Sequence, residues 1–341
     1  MFAVIATTCG GPEVLQYRDV PKPRITHPWD VLVRVRAAGV NPGDCQNRQF
    51  GAPQYASADG SSGFSILGMD GSGVIEEVGD AVENFARGDE VWYYDGGYSD
   101  RHGSYAEYKI VNGHYLAFKP RTLSFAAAAA LPVVALTAWE AIVQRAAVHE
   151  GQFVLVHGAA GGVGHISVQL AASRGARVAA TVSTPSKAEI ARAYGAELCI
   201  DYRKDDVAAT LNRWTGKNGA DVVLDYVGHE NFVNSFGLVA PYGTLVNAVV
   251  SDWPQGNNEF AEYNNLSIKF VNIGWPQVSN DHKGRLRQTR ILREVAALVD
   301  EGKLRVHLHR TYRLDDLAEA HRALDAGEVI GRIVVEMEQE H

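Results

Sequence analysis

The chain has 341 residues, 46% hydrophobic and 21% charged, which is a globular composition with enough apolar material for two ordinary domains. Its net charge of −8 argues against sequence-independent nucleic-acid binding, whose affinity comes from cations laid on phosphates. The three cysteines, Cys9, Cys45 and Cys199, are dispersed and match no zinc spacing, which suits a reducing compartment such as the cytoplasm.

The opening MFAVIAT lacks the basic start and long apolar core of a secretory signal. Residues 1–120 read as β-rich. DVLVRVRAAGV (30–40) alternates apolar and charged residues as a half-buried strand does, and GSGVIEEVG (71–79) and DEVWYY (89–94) behave alike. Gly, Pro and Asp separate these runs at short intervals, which predicts an antiparallel barrel or sandwich. The most apolar window, 126–143, contains Pro132, Thr137 and Glu140 and is rich in Ala, so it predicts a buried helical segment and no membrane span.

From 153 to about 273 the rhythm changes. Short apolar runs at 153–157, 177–182, 198–200, 221–227, 243–250 and 268–273 alternate with amphipathic, helix-length spacers. That is the pattern of a parallel sheet covered by helices on both faces. An amphipathic helix is predicted over 286–304, with Ile291, Val295, Leu298 and Val299 on one face. The basic residues Lys283, Arg285, Arg287, Arg290 and Arg293 read as its solvated side. GRIVVEME (331–338) returns to a strand that rejoins the first domain.

HGAAGGVG (157–164) follows a strand and opens a helix. In a dinucleotide fold this turn must be tight and its backbone must approach a pyrophosphate, and glycine, lacking Cβ, allows both. The N–H groups and dipole of the following helix then face the negative charge. Gly161, Gly162 and Gly164 serve this purpose, with Ala159 and Ala160 lining the turn; tight packing is the competing reading of the same glycines. Without a Gly-Lys-Ser/Thr sequence, a triphosphate loop is disfavoured. A free ribose 2′-hydroxyl calls for Asp or Glu about 20 residues further on. Here the segment is TVSTPSK (181–187), which has no acid. Ser183, Thr184 and Ser186 offer hydrogen bonds and Lys187 a cation, so the loop suits the 2′-phosphate of NADPH; a plain helix N-cap at Ser183 or Thr184 is the bland alternative.

Taken in order, NPGD (41–44) with Arg48, GMDGSGVIEEVG (68–79), GDEVW (88–92), GSYAEY (103–108), TAWEA (137–141), GAAGGVG (158–164), DVVLDYVG (221–228) and the terminal GRIVV resemble the zinc-free, zeta-crystallin-like quinone oxidoreductases of the medium-chain dehydrogenase/reductase superfamily. The likeness covers nearly the whole chain. It implies an α/β protein: a GroES-like β-barrel catalytic domain (1–124, resuming at 276–341) interrupted by a Rossmann doubly wound parallel-sheet domain (125–275). It implies an active site between them and assembly as a homodimer or homotetramer. Carried over position by position, the resemblance sets Asn41 and Asp44 near the nicotinamide and Thr137 beside its ribose. Lys187 and Tyr202 would reach the 2′-phosphate, and Val227, Gly228, Asn247 and Ala248 would border the cofactor. Ala160, Gly161, Gly162, Val163, Ser183 and Arg332 complete the expected cofactor set. The bland alternatives are turn chemistry for Asn41 before Pro42 and edge packing for Tyr202.

Zinc-dependent relatives carry a Cys where this chain has Asn41 and His-Glu where it has Met69-Asp70, together with a four-cysteine lobe that is absent here. No metal site is therefore expected. The polar segment after NPGDCQNRQF and the stretch 93–104 look elaborated beside the family, and both are expected to edge the substrate cleft. Without a metal, a conjugated acceptor is the natural substrate. Hydride adds to a quinone or to the β-carbon of an enal or enone, and one or two hydrogen-bond donors stabilise the oxygen, each worth roughly 3 kcal/mol. The candidate donors are Asn41, Arg48 and Tyr55. The rival readings are reduction of an enoyl thioester and a non-enzymatic structural or RNA-binding role.

Overall fold

The structure is a computed structural model describing residues 1–51, 63–98, 101–249 and 257–337. The chain divides into two compact units. The first comprises Met1–Val133, Gly274–Gly302 and the chain from Leu308 onward; the second comprises Val134–Ile273 with Lys303–His307.

The first unit is built on two sheets. Strand β1 (Phe2–Ala6) pairs antiparallel with β2 (Leu15–Asp19) and, beyond β3 (Asp30–Val40), with β4 (Ser65–Ile66). The larger sheet has seven strands. It includes β3, β5 (Asp70–Val78), β6 (Glu90–Tyr94), β7 (Tyr108–Asn112) and β8 (Leu116–Phe118), and it is completed by the C-terminal pair named below. β3 is its spine. At one end it pairs with β5 and β7, and at the other it receives the last strand. Side chains alternate across its faces. One core gathers Val4, Val35, Val40 and Ile333, and another gathers Val31, Val33, Ile75 and Val91.

Helix α1 (Pro42–Phe50) leaves the end of β3, with Pro42 in its first turn. The Ala-rich window is cut by Pro132. α2 (Phe125–Ala129) ends before it and α3 (Pro132–Trp139) begins on it, because proline can open a helix but cannot continue one. A π-type turn, Glu140–Arg145, follows. Although α2 begins at the expected start of the second domain, it packs on β3 and β5 of the first unit.

The second unit contains β9 (Phe153–Val156), α4 (Gly162–Ser173), β10 (Arg177–Val182), α5 (Pro185–Ala193), β11 (Leu198–Asp201), α6 (Val207–Thr215), β12 (Ala220–Asp225), α7 (Glu230–Ser235), β13 (Val239–Asn247), α8 (Asn257–Tyr263) and β14 (Ser267–Phe270). All pairings among its strands are parallel, in the order β11-β10-β9-β12-β13-β14. Numbered within the unit this is 3-2-1-4-5-6, the doubly wound order whose reversal between the first and fourth strands opens a ligand crevice at the strands' C-terminal ends.

The chain then re-enters the first unit through α9 (Trp275–Val278) and α10 (His282–Asp300), capped by Asp281, whose Oδ1 accepts the Gly284 N–H at 3.0 Å. Ile291, Val295 and Val299 are buried as their spacing predicts. Lys283, Arg287, Arg290 and Arg293 are exposed, but Arg285 turns inward. β15 (Leu308–Arg313), α11 (Leu317–Asp325) and β16 (Arg332–Glu336) finish the fold, with β16 antiparallel to β3 and parallel to β15. Among the described residues no helix is long and apolar enough to cross a membrane.

Candidate active site

Where β3 runs into α1, a polar cluster is buried in the first unit. The Asn41 backbone N–H donates to Asp44 Oδ2 at 2.9 Å, a carboxylate at the helix start answering an otherwise unpaired donor. The Asn41 side chain holds two carboxylates at once: Nδ2 donates to Asp44 Oδ2 at 3.1 Å and to Asp70 Oδ1 at 3.0 Å. Tyr105 donates its hydroxyl proton toward Asp44 Oδ2 at 3.0 Å, with Gly39 O at 3.2 Å. Asp70 Oδ2 takes the Val133 N–H at 3.1 Å, at the start of α3 where a negative charge is favoured. The packing at Gly39 admits only glycine, since an added Cβ would lie 2.5 Å from Asp70 Oδ1 and 2.7 Å from Ala129 O.

Both carboxylates are fully buried. Burial and the neighbouring Asp70 charge push Asp44 up to about 7, against the hydrogen bonds from Asn41 and Tyr105. Burial also raises Asp70, opposed by the Arg332 guanidinium.

The residues expected at the active site fare differently. Asn41 and Asp44 are together as the resemblance implies, but Asn41 cannot serve as a substrate donor: both hydrogens of its amide are engaged by carboxylates, leaving only the buried acceptor Oδ1. Arg48, expected to be a donor, is a core residue. It lies in the last turn of α1 with no exposed surface, donating to Gly10 O at 3.1 Å and pairing with Asp325 of α11 at 2.8 Å, with His321 Nδ1 3.1 Å away. Arg332, expected at the cofactor, is likewise internal, donating to Ala130 O at 2.7 Å and Val40 O at 3.0 Å. Each guanidinium ties chain-distant segments together where the resemblance placed a ligand contact. Tyr55 lies outside the described residues.

A second group of polar side chains adjoins the cluster; its tyrosines come from the stretch 93–104 expected to edge the substrate cleft, though the sequence singles out neither as a donor. Tyr94 closes β6 directly opposite Asp70 of β5, and its hydroxyl is hydrogen-bonded to that of Tyr98. The loop carrying Tyr98 is pinned from several sides. The Asp95 N–H donates to Met69 O at 2.9 Å, Asp95 pairs with Arg285 at 2.8 Å and Lys109 at 3.3 Å, and Asn47 Nδ2 reaches Gly97 O at 3.4 Å. The three charges are buried, and Lys109 and Arg285 together hold the Asp95 carboxyl below the usual range against the cost of burial. Sequence reading placed Arg285 on a solvated helix face; a single inward arginine breaks no hydrophobic period and so leaves no signal.

In the second unit the glycine turn joins β9 to α4. Gly158 has φ +68°, a left-handed conformation that glycine tolerates. A Cβ on Gly164 would lie 2.1 Å from Gly158 O and 2.7 Å from Ala159 Cα, so this glycine serves packing. Gly161 is different. It is the N-cap of α4 with no side chain to cap it, and an added Cβ would meet only Gly158 O at 3.1 Å. The turn therefore presents backbone N–H groups of a 12-residue helix with free space before Gly161, a cradle that fits a pyrophosphate. Val163 follows in the first turn and Ala160 is buried beneath it.

At the end of β10, Ser183 is buried and Thr184 caps α5, its Oγ1 accepting the Lys187 N–H at 3.3 Å. The bland capping role thus falls to Thr184. Tyr202 follows β11, donates its N–H to Val182 O at 3.2 Å and leaves its ring half exposed, which brings it beside the loop that carries Lys187. At the switch point, Asp225 ends β12 fully buried. It accepts from Val227 N at 2.9 Å, Gly228 N at 3.0 Å and Asn247 Nδ2 at 3.2 Å. Asp225 therefore shapes the loops of Val227, Asn247 and Ala248, a role that "LDYVG" did not announce. His157 follows β9 with Nδ1 3.0 Å from Thr181 Oγ1, and burial lowers it to about 4 despite Asp225. Thr137 is buried in α3.

A parallel sheet in this order with a glycine cradle at its crevice, carried by a chain whose other unit is a mainly antiparallel sheet assembly, defines a pyridine-nucleotide oxidoreductase of the medium-chain type. Comparison with known proteins agrees. Residues 27–121 match the alcohol dehydrogenase GroES-like domain family, and residues 194–335 match a family described as zinc-binding dehydrogenase. The chain is 32% identical over 328 residues to a quinone oxidoreductase of Pseudomonas aeruginosa, covering 96% of each. Among solved structures it is similar to an NAD-dependent alcohol dehydrogenase (32% identity, TM-score 0.86, 99% of this chain and 100% of the other). It is also similar to a mycobacterial protein complexed with NADPH (27% identity, TM-score 0.86, 98% of this chain and 100% of the other). The chain belongs to the quinone oxidoreductase family of the medium-chain dehydrogenase/reductase superfamily, and is an oxidoreductase acting on small molecules.

Proposed function

We propose that this protein is an NADPH-dependent reductase that transfers hydride to a quinone or another conjugated carbonyl, an enal or enone, without a metal. The observation that carries the cofactor choice is the crevice end of β10 and β11. The stretch 181–187, which carries Ser183 and Lys187, contains no acid, and Tyr202 is tied beside it by its N–H to Val182 O. A 2′-phosphate gains a charge-assisted bond from Lys187 and meets no carboxylate on that loop. Gly161, Gly162 and Val163 would hold the pyrophosphate on the first turn of α4, and the loops of Val227, Asn247 and Ala248 would border the rest of the cofactor. When bound, the nicotinamide supplies the hydride.

The metal-free reading is supported by the chemistry of the Asn41–Asp70 cluster. A zinc ligand must offer a lone pair. Asp44, Asp70 and Asn41 offer two carboxylates and an amide where a zinc site takes three or four thiolate, imidazole or carboxylate ligands, and among the described residues no three His, Cys, Asp or Glu side chains gather to hold one. A substrate oxygen here must be stabilised by hydrogen-bond donors, which suffices when conjugation spreads the developing charge. NADPH oxidation across quinones, enals, enones and enoyl thioesters, repeated with NADH, tests the proposal. Activity confined to thioesters, or equal use of the two cofactors, would overturn the corresponding part.

A further inference from the structure

We infer that the Tyr94–Tyr98 hydroxyl pair is the hydrogen-bond and proton donor to the substrate's oxygen, with Tyr98 in direct contact and Tyr94 behind it; this rests on the proposed reduction of conjugated carbonyls. The inference begins with elimination. Asn41 has both amide hydrogens on carboxylates, Arg48 is committed to Gly10 and Asp325, and Tyr105 already donates to Asp44. Tyr93, next to Tyr94 in the strand, points to the opposite face and joins the core there.

The tyrosine pair is unlike these groups. Two hydroxyls carry two protons, and their mutual bond uses one, so one O–H remains to be given onward. Tyr98 is the more exposed of the two, 7% against 3%. The pair lies beside the buried cluster, with Tyr94 facing Asp70 across the β5–β6 ladder. The residues before Tyr98 are held in place, Asp95 by the Lys109 and Arg285 charges and Gly97 by its close approach to Gly68, where a Cβ on Gly97 would come 2.7 Å from backbone. Both phenols are protonated at neutral pH, and burial, which raises them, makes them weaker acids than an exposed tyrosine. Arg285 supplies the opposite influence: its charge favours the phenolate left after the proton departs.

The step balances. Hydride lands on the β-carbon, the π pair moves through the conjugated system to the carbonyl oxygen, and the Tyr98 O–H bond breaks to give that oxygen its proton. Tyr98 recovers a proton from Tyr94, and Tyr94 from water. The enolate from an enone is a strong base and needs this proton, whereas the hydroquinone monoanion from a quinone is a much weaker one.

Tyr98→Phe and Tyr94→Phe, which keep both rings, test the inference against wild type. With 2-cyclohexen-1-one, kcat is expected to fall roughly 100-fold in Tyr98→Phe and less in Tyr94→Phe; with 1,4-benzoquinone the loss stays under about tenfold. NADPH affinity, read by fluorescence quenching, is expected to stay within about twofold, since neither hydroxyl belongs to the unit that carries the glycine cradle. Carbonyl-labelled cyclohexenone bound with NADP+ should show a lowered C=O stretching frequency in wild type that reverts in Tyr98→Phe. Equal losses on both substrates, or an unchanged carbonyl frequency in Tyr98→Phe, would overturn the inference. Should wild type reduce neither substrate, the functional reading fails, and the carbonyl frequency alone then decides whether Tyr98 touches a bound carbonyl.

Discussion

Gly161 and Gly164 stand three residues apart in one turn, and the structure gives them opposite duties that one pair of variants separates. In Gly164→Ala the new Cβ overlaps Gly158 O and Ala159 Cα at 2.1 and 2.7 Å, and both are backbone atoms that cannot rotate aside. Overpacking of this kind costs about 1–3 kcal/mol, and rigid backbone on both sides points to the upper end. In Gly161→Val the backbone, at φ −83° and ψ −177°, already suits a β-branched residue, and only Gly158 O lies within reach, at 3.1 Å. Losing a glycine N-cap is offset by the reduced freedom of the unfolded chain, roughly 0.4–1 kcal/mol, so the apo protein should change by less than about 1 kcal/mol. The valine methyls, however, enter the space in front of the α4 N–H groups. Thermal melts with and without NADPH read both effects. At 100 times Kd a ligand stabilises by about 2.7 kcal/mol, and a lost site removes that increment. The expected result is a normal apo midpoint with no NADPH-dependent rise for Gly161→Val, and a lowered apo midpoint with the rise preserved for Gly164→Ala. The reverse pattern would refute the assignment of the cradle to Gly161.

Lys187→Ala should weaken NADPH by about 1–2 kcal/mol, the worth of a charge-assisted hydrogen bond, and barely affect NADH; titration of both cofactors checks it. Elemental analysis of active enzyme should find far less than one zinc per chain, and a chelator should leave the rate unchanged; stoichiometric zinc lost together with activity would contradict the hydrogen-bond role given to Asp70. Asp44 should make stability depend on pH. Its folded pKa, about 7, lies above the ordinary 3.8, so between those values the native state holds a proton that the unfolded chain has released, and stability falls as pH rises. Asp44→Asn removes that slope. Denaturant unfolding should show the variant gaining on wild type between pH 4 and 7, by at most roughly 4 kcal/mol at the full shift; a pH-independent difference would mean Asp44 is ionised in the fold.

Much of the architecture is legible in the chain because each sheet strand has one local reason to exist. The 30–40 alternation became β3, the apolar run at 177–182 became β10, and the strand at 331–338 joined β3 as expected. The glycine turn was equally readable, since strand, turn and helix are contiguous. The chemistry of the first unit was not. Asn41 is visible before Pro42, but that its amide would be consumed depends on Asp70, 29 residues away, arriving on a neighbouring strand. Arg48 looked like a donor by proximity to NPGD, yet its helix position turns it toward α11, 277 residues on. Tyr94 and Tyr98 lie in the stretch 93–104 that is expected to edge the substrate cleft, but nothing in the sequence singles them out: one completes an ordinary strand pattern and the other sits in a loop held by Arg285, a residue that reads as surface.

These failures share a cause, and it bears on how the enzyme would stabilise a substrate oxygen. A side chain's donor capacity is what remains after the fold has satisfied its own buried carboxylates and carbonyls. In this chain two buried aspartates, Asp44 and Asp70, and the carbonyls of Gly10, Val40 and Ala130 absorb Asn41, Arg48 and most of Arg332, whose Nη2 keeps a buried N–H 3.8 Å from Asp70. The electropositive groups a reader would choose first are therefore neutralised. Beside the cluster stands a pair of phenols, weaker donors individually but able to part with a proton, with the buried, Asp95-paired Arg285 near. Such a site suits substrates that delocalise their own charge, and serves poorly for a simple ketone, which needs stronger polarisation than a tyrosine hydroxyl supplies. The preference for conjugated over isolated carbonyls would then follow from how the interior of the first unit allocates its hydrogen bonds.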